Sequence, residues 1–324
     1  MSHEIETEEL VLESGSEGSR RARHSSVTQR LAARKLALPP KWLPNAVAYE
    51  TIMGSMAYGV SSDTSDMDVY GFCIPPKDMI FPHLAGEIPG FGTQIQRFEV
   101  FQQHHIPDDE ALGGSGRQYD LTIFSIVKYF QLALENNPNI IDSLFTPVTC
   151  VLHSTAIGEM VRDQRRMFLH KGAWHKFKGY AFSQMHKMDI KSPQPGSKRA
   201  ADIEKFGFDA KFAYHIVRLL DEVEQILTTG DVDLQWDRER LKAIRRGEWT
   251  ADQVREFFVR KERELETAYA DSKLPHKPDE AVVKRLLLEC LEAHFGSMKE
   301  AVVMPTQERE LLRQIKTLCE KAGI

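Results

Sequence analysis

The sequence predicts an α+β fold, with a small mixed sheet and its helices in the first half and a mostly α-helical second half. Three observations predict it. Between about residues 46 and 123, apolar residues alternate with period two in short runs. Gly-, Pro- and His-rich breaks at 82–93 and 103–117 separate the later runs. Beyond Phe124 the period changes to 3.6 and mostly stays there. A chain of 324 residues is long for one core and suits two units. We place them at 27–152 and 153–324, behind a tail at 1–26.

Taken in order, the tail is acidic (Glu4, Glu6, Glu8, Glu9) and then rich in Ser and Arg from Ser14 to Ser26. It holds too few apolar side chains to offset the entropy of ordering, so a disordered segment is expected. Leu31, Leu36 and Leu38 make a short helical pattern, stopped by Pro39-Pro40. The run 46–53, AVAYETIM, predicts the first strand, which enters Gly54-Ser55 directly. Further strands are predicted at 67–74, closed by Pro75-Pro76, at 94–101 and at 118–123. Helices are predicted at 125–136, 139–145, 154–168, 173–189, 206–229, 237–246, 250–271, 278–297 and 306–322. Asn139 with Asp142 suggests an N-cap, Gly230 suggests a helix stop, and KSPQPGSKR at 191–199 reads as a linker.

Composition narrows the function classes. A formal net charge of −5 gives no global signature of nucleic-acid binding, although a local basic region is compatible with it. Cys73, Cys150, Cys290 and Cys319 lie far apart and match neither a disulfide framework nor a zinc template, which fits a reducing compartment. The acidic N-terminus does not read as a signal peptide, and no window approaches eighteen apolar residues. A cytoplasmic protein that does not enter a membrane is expected.

The chemistry concentrates in GSMAYGVSSDTSDMDV, residues 54–69. In a strand, Asp66 and Asp68 share one face about 7 Å apart, while Met67 and Val69 point to the other. Two such carboxylates repel unless a cation lies between them, and a hard divalent ion such as Mg²⁺ suits oxygen ligands. Gly54-Ser55 at a strand end offers backbone N–H groups and a hydroxyl to phosphate oxygens. Each part alone has an ordinary reading: a tight turn for Gly54-Ser55, a solvated strand face for the two aspartates, and turn chemistry for Asp63. The combination of strand, Gly-Ser, ten residues and then Asp-apolar-Asp-apolar is more specific. Met53-Gly54-Ser55 with Asp66-Met67-Asp68-Val69 resembles the signature of the DNA polymerase β nucleotidyltransferase superfamily.

That resemblance implies a third carboxylate on a later strand. Asp120, in Tyr119-Asp120-Leu121, is preferred, with Glu99, in Phe98-Glu99-Val100, as the alternative. The segment following Asp120, LTIFSIVKYFQLALENNPNIIDSLFTP, resembles a large predicted nucleotidyltransferase subgroup associated with RNA ligases. So do Lys178-Gly179-Tyr180, FGFDAKFAYHIVRLL, TGDVDL, LKAIRRGEW and Leu274-Pro275, and the likeness covers most of 46–296. It implies transfer of a nucleoside monophosphate from an NTP such as ATP, with pyrophosphate release. Two Mg²⁺ ions, or Mn²⁺ in their place, would be held by Asp66, Asp68 and Asp120. One would bind the triphosphate and the other would activate an acceptor hydroxyl for in-line attack on the α-phosphorus.

The second half supplies a basic complement. Residues 161–220 carry thirteen Lys and Arg against five Asp and Glu, in a chain that is acidic overall. Such an excess suits a bound NTP or a nucleic-acid backbone, although a solvated helix face reads the same way residue by residue. Lys211, His215 and Arg218 fall on one helical stripe, opposite Ile216, Leu219, Leu220 and Val223, and are expected to face the cleft and the nucleotide. His104 and His105, near Asp108, Asp109 and Glu110, read as a loop rather than a zinc site. Trp42, Trp174, Trp236 and Trp249 read as packing anchors. The acceptor is expected to be an RNA end, with AMP transfer to protein or non-catalytic nucleotide sensing as alternatives. Neither base preference nor oligomeric state is legible.

Overall fold

Strand β1, Val47–Met53, is buried along its whole length. The sheet is built out from it in this computed structural model, which describes residues 26–61, 66–81, 97–190, 198–297 and 307–322. The tail at 1–25, Asp63, the 82–93 loop and most of the 191–199 linker lie outside the described residues. Strand β2 is Met67–Cys73, β3 Val100–Asp108, β4 Arg117–Ser125 and β5 Val151–Ser154, in the spatial order β3-β4-β2-β1-β5. β2 and β4 run parallel, and the other neighbours pair antiparallel, so the sheet is mixed.

The helices are α1 (Val27–Ala33), α2 (Lys77–Ile80), α3 (Ala111–Gly114), α4 (Ile126–Leu134), α5 (Pro138–Phe145), α6 (Ala156–Asp163) and α7 (Ala173–Ile190). They continue with α8 (Lys198–Phe206), α9 (Ala210–Thr229), α10 (Arg238–Arg245), α11 (Ala251–Asp271), α12 (Glu280–Phe295) and a last helix, α13 (Gln307–Ala322). One buried cluster joins the sheet to the helical half, running from Tyr49, Val69 and Leu121 through Trp174 and Phe177 to Leu219, Leu265 and Cys290. α9 is the axis of that half, packed by α7, α8, α10 and α11. Glu50, fully buried on β1, has a local structural role: its carboxylate accepts from the Val27 and Thr28 N–H groups at 2.7 and 3.1 Å, satisfying the first turn of α1.

The sequence reading departs from the structure at several points, each with a physical cause. Residues 100–108 form β3, so His104 and His105 sit in a strand rather than a loop. β3 lies at the sheet edge, where polar side chains and Pro107 are tolerated and apolar alternation is not required. β5 is only four residues long, half-exposed and too short for a periodic signal. It straddles residue 152, where the two units are expected to meet. The 206–229 helix is divided at Gly207, at φ +79°, and restarts when the Asp209 carboxylate accepts from the Lys211 and Phe212 N–H groups. α5 is capped by Asn137 rather than Asn139, with Pro138 at its first position. Gly230 stops α9 at φ +66°, as expected. Trp236 is 72% exposed, so it is not a packing anchor.

Asp221 on α9 gives this half a pH response. Burial pushes its carboxyl up to about 6, opposed by Arg240 of α10 and Lys261 of α11 and assisted by Glu224 and Asp237. A carboxyl raised above its unfolded range favours the fold when protonated, and that contribution is lost as pH rises through about 6. Denaturation curves between pH 4 and 7 should therefore show a falling stability component that Asp221→Asn removes. Identical pH slopes for the two proteins would count against this assignment.

Candidate active site

The end of β1 and the start of β2 create the site together. Met53 pairs with Asp68, and the chain leaves β1 at Gly54 with φ +67°, a conformation glycine adopts without steric cost. Gly54 is also needed for space: a Cβ there would collide with Asp68 Oδ2. Residues 54–60 fold back as a tight turn, with Tyr58 N–H on Gly54 O at 3.2 Å and Val60 N–H on Ser55 O at 2.9 Å. Ser55 is half-buried at its start. Gly54→Ala should thus cost about 1–2 kcal/mol of stability through the left-handed backbone alone. It should also displace Asp68, which is checked by chemical denaturation beside an activity assay.

Asp68 and Asp120 are register partners on the parallel strands β2 and β4. Asp68 is half-buried, Asp66 is exposed just before β2, and the Asp120 side chain is 23% exposed. Burial holds the Asp68 carboxyl above the usual range, and the charges of Asp120 and Asp66 push it the same way, while Lys211 and His104 oppose them. Asp120, Asp66 and Lys211 thus all act on the Asp68 carboxyl, although Lys211 is far away in sequence. Glu99 lies at the opposite end of β4, beside Phe124 and Ser125, and pairs with Lys128 at 3.2 Å.

A register shift in β3 between Gln103 and Ile106 aims two residues at Asp120. The His105 N–H donates to Asp120 Oδ1 at 2.6 Å, and His104 Nδ1 lies 3.5 Å from Asp120 Oδ2. Among the described residues, no three His, Cys, Asp or Glu side chains stand close enough to hold an ion as arranged here. The donor set nonetheless fits a hard divalent cation in kind. It consists of carboxylate oxygens, one of them raised first by burial and then by its neighbours' charge, a cost that a bound cation relieves.

The helical stripe divides by role. Lys211 is exposed in the first turn of α9 and is held in no ion pair among the described residues. His215 is half-buried, its ring 4.2 Å from that of Tyr214. Burial, with the charges of Arg218, Lys211, Arg245 and Lys187, drives its pKa well below the ordinary value, so it is a neutral imidazole. Arg218 is a correction to the reading that the stripe faces the cleft. Its side chain is 6% exposed and bound to Asp142 and, at 2.8 and 2.9 Å, to both Glu222 oxygens. A guanidinium so enclosed is not available to a phosphate.

Arg218 instead belongs to a framework behind the 54–60 turn. Its guanidinium stacks over Tyr58 at 4.1 Å, and Tyr58 Oη donates to Asp142 Oδ2 at 2.8 Å. Arg245 donates to Val60 O, and Gln235 Nε2 donates to Ala57 O at 3.0 Å. Three separate parts of the helical half thus grip the turn. The sequence reading missed Tyr58, Asp142, Glu222, Gln235 and Arg245 in this role. One signal was present: Asp142 is the only charge in the apolar helix PNIIDSLF, and a lone acid there implies a buried partner.

A family profile described as "RNA repair pathway DNA polymerase beta family" matches residues 29–302. Among solved structures, the chain is similar to a nucleotidyltransferase-like protein from Exiguobacterium sibiricum 255-15, at 11% identity and a TM-score of 0.27, covering 91% of this chain and 90% of that one. No curated protein matches. No helix among the described residues is long and apolar enough to cross a membrane.

Proposed function

The chain belongs to the RNA repair pathway DNA polymerase beta family, and from that premise we propose that it transfers a nucleoside monophosphate from an NTP to the hydroxyl of an RNA end. The observation that carries this reading is the register pairing of Asp68 with Asp120, with the Asp66 charge acting on Asp68 and Gly54 against the Asp68 carboxylate. Asp66, Asp68 and Asp120 would hold two Mg²⁺ ions, which when bound supply positive charge to the triphosphate and acidify the acceptor hydroxyl.

The chain's own contribution is position and charge. The backbone of Gly54 to Met56 and the Ser55 hydroxyl bind the β and γ phosphates, held by the turn that Gln235 and Arg245 grip. Lys211 approaches from α9 and offsets the charge gathering on the leaving pyrophosphate. His215, being neutral, offers a ring nitrogen for hydrogen bonding rather than a charge. The acceptor oxygen forms its bond to the α-phosphorus as the bond to pyrophosphate breaks, and the hydroxyl proton passes to water.

Incubating the protein with each of four α-labelled NTPs, Mg²⁺, total RNA and cell lysate tests catalysis, base choice and acceptor together. Label in RNA is the expected result. Label in polypeptide would instead establish protein nucleotidylation. One observation favours a second reading, nucleotide sensing without transfer: Asp120 is already engaged by the His105 N–H. Mg²⁺-independent NTP binding with no pyrophosphate release would establish that reading.

A further inference from the structure

The outer face of α7 has two features that the fold of the chain does not use. Gly179 sits in the interior of an 18-residue helix, where glycine costs about 0.5–1 kcal/mol relative to alanine. Among the described residues a Cβ there would meet nothing within 4 Å, so no packing among them requires the glycine. Phe182, on the same face, is 64% exposed. Ser183 and His186 complete the stripe and are also exposed, while Phe177, Ala181 and Met188 turn inward to the core. A bare backbone beside an uncovered aromatic ring suits something that approaches closely and stacks.

The charge around this face selects the partner. α7 carries Lys176, paired with Glu135 at 3.0 Å, Lys178, paired with Glu262 at 2.6 Å, and Lys187, while its one acid, Asp189, is bound to Arg255 at 2.7 Å. Lys187 is exposed and held in no ion pair among the described residues. It acts electrostatically on His215, as does Lys211, and Lys211 acts on Asp68. α7 packs along α9, the helix whose first turn carries Lys211. A partner helix would need several apolar contacts, and the stripe offers one ring among small and polar residues. A single RNA strand needs what is there: a π surface, open backbone and, in Lys187, a cation at one edge.

We propose that the α7 face formed by Gly179, Phe182 and His186, edged by Lys187, is the track on which single-stranded acceptor RNA lies as its end enters the carboxylate cluster. This rests on RNA being the acceptor. A base stacks on Phe182, the strand passes over Gly179, and Lys187 neutralises a phosphate nearest the site.

Fluorescence anisotropy with a labelled oligoadenylate of about fifteen nucleotides tests the track. Phe182→Ala should weaken binding by about fivefold or more, the range for one lost stacking contact. Gly179→Leu, which favours the helix but fills the open space, should weaken it comparably. Lys187→Ala should weaken binding and lower the salt dependence by about one phosphate contact. All three positions are exposed, and melting curves check that the variants remain folded. Wild-type affinity in the Phe182 and Gly179 variants would overturn the proposal, as would a wild-type protein that does not bind the oligonucleotide at low salt. Thermal stabilisation by NTP with Mg²⁺, measured on the same preparations, separates the two readings: its absence counts against nucleotidyl transfer, and its persistence without RNA binding counts against the track alone.

Discussion

Asp68→Asn is expected to lose pyrophosphate release by about a thousandfold or more, and to melt no lower than wild type in the absence of divalent ions. The two results share one cause. The Asp68 carboxyl is half-buried against the Gly54 turn and faces Asp120 and Asp66, so its ionised form is disfavoured and its pKa is raised. A carboxyl shifted in this direction favours the fold when protonated, and that contribution is lost as pH rises above the ordinary carboxylate range. At neutral pH the native side chain therefore opposes folding, and the neutral amide removes the repulsion while keeping the shape. Mg²⁺ should raise the melting temperature of wild type, because a ligand that binds only the folded state stabilises it, and should leave the variant unmoved. Asp66→Ala combined with Asp68→Ala should abolish turnover in a folded protein. Full turnover by either variant, or an equal Mg²⁺ shift in wild type and Asp68→Asn, would remove these carboxylates from the mechanism.

Arg218→Met should produce the largest loss of stability, about 3–5 kcal/mol by urea denaturation, because it strands the buried acids Asp142 and Glu222. Burial already raises both carboxyls. Without the guanidinium they are raised further, so the deficit should shrink as pH falls and both become neutral. Tyr58→Phe removes only a hydrogen bond to Asp142 and should cost about 1.5–3 kcal/mol. Because the framework holds the 54–60 turn, Tyr58→Phe should also raise KM for the NTP more than it lowers kcat. A cost below about 1 kcal/mol for Arg218→Met would mean that the acids find other partners.

The contrast between Arg218 and Lys211 shows where the sequence stops being informative. Both occupy one stripe of α9 and read alike by periodicity. Their difference comes from Asp142, seventy-six residues away, which draws Arg218 inward, while Lys211 stays exposed and acts on the Asp68 carboxyl. His104 and His105 make the same point from the sheet. An edge strand needs no apolar alternation, so 103–108 read as part of a loop until its pairing with β4 placed the bulge on Asp120.

The sequence by itself determined the change from strands to helices near Phe124, the Gly54-Ser55 turn after β1, and Asp66 and Asp68 as the acidic pair. Each of these depends on short-range chemistry: side-chain periodicity, the conformational freedom of glycine, and two carboxylates held at strand spacing. Only the tertiary structure decided that Asp120 stands in register with Asp68 while Glu99 is carried to the other end of β4. It alone decided that a buried Tyr58–Asp142–Arg218 framework backs the turn, and that Phe182 stays uncovered beside Gly179. These features depend on strand register and on the pairing of charges across the core. Their energies are set by burial and by partners distant along the chain, which no local pattern of residues encodes.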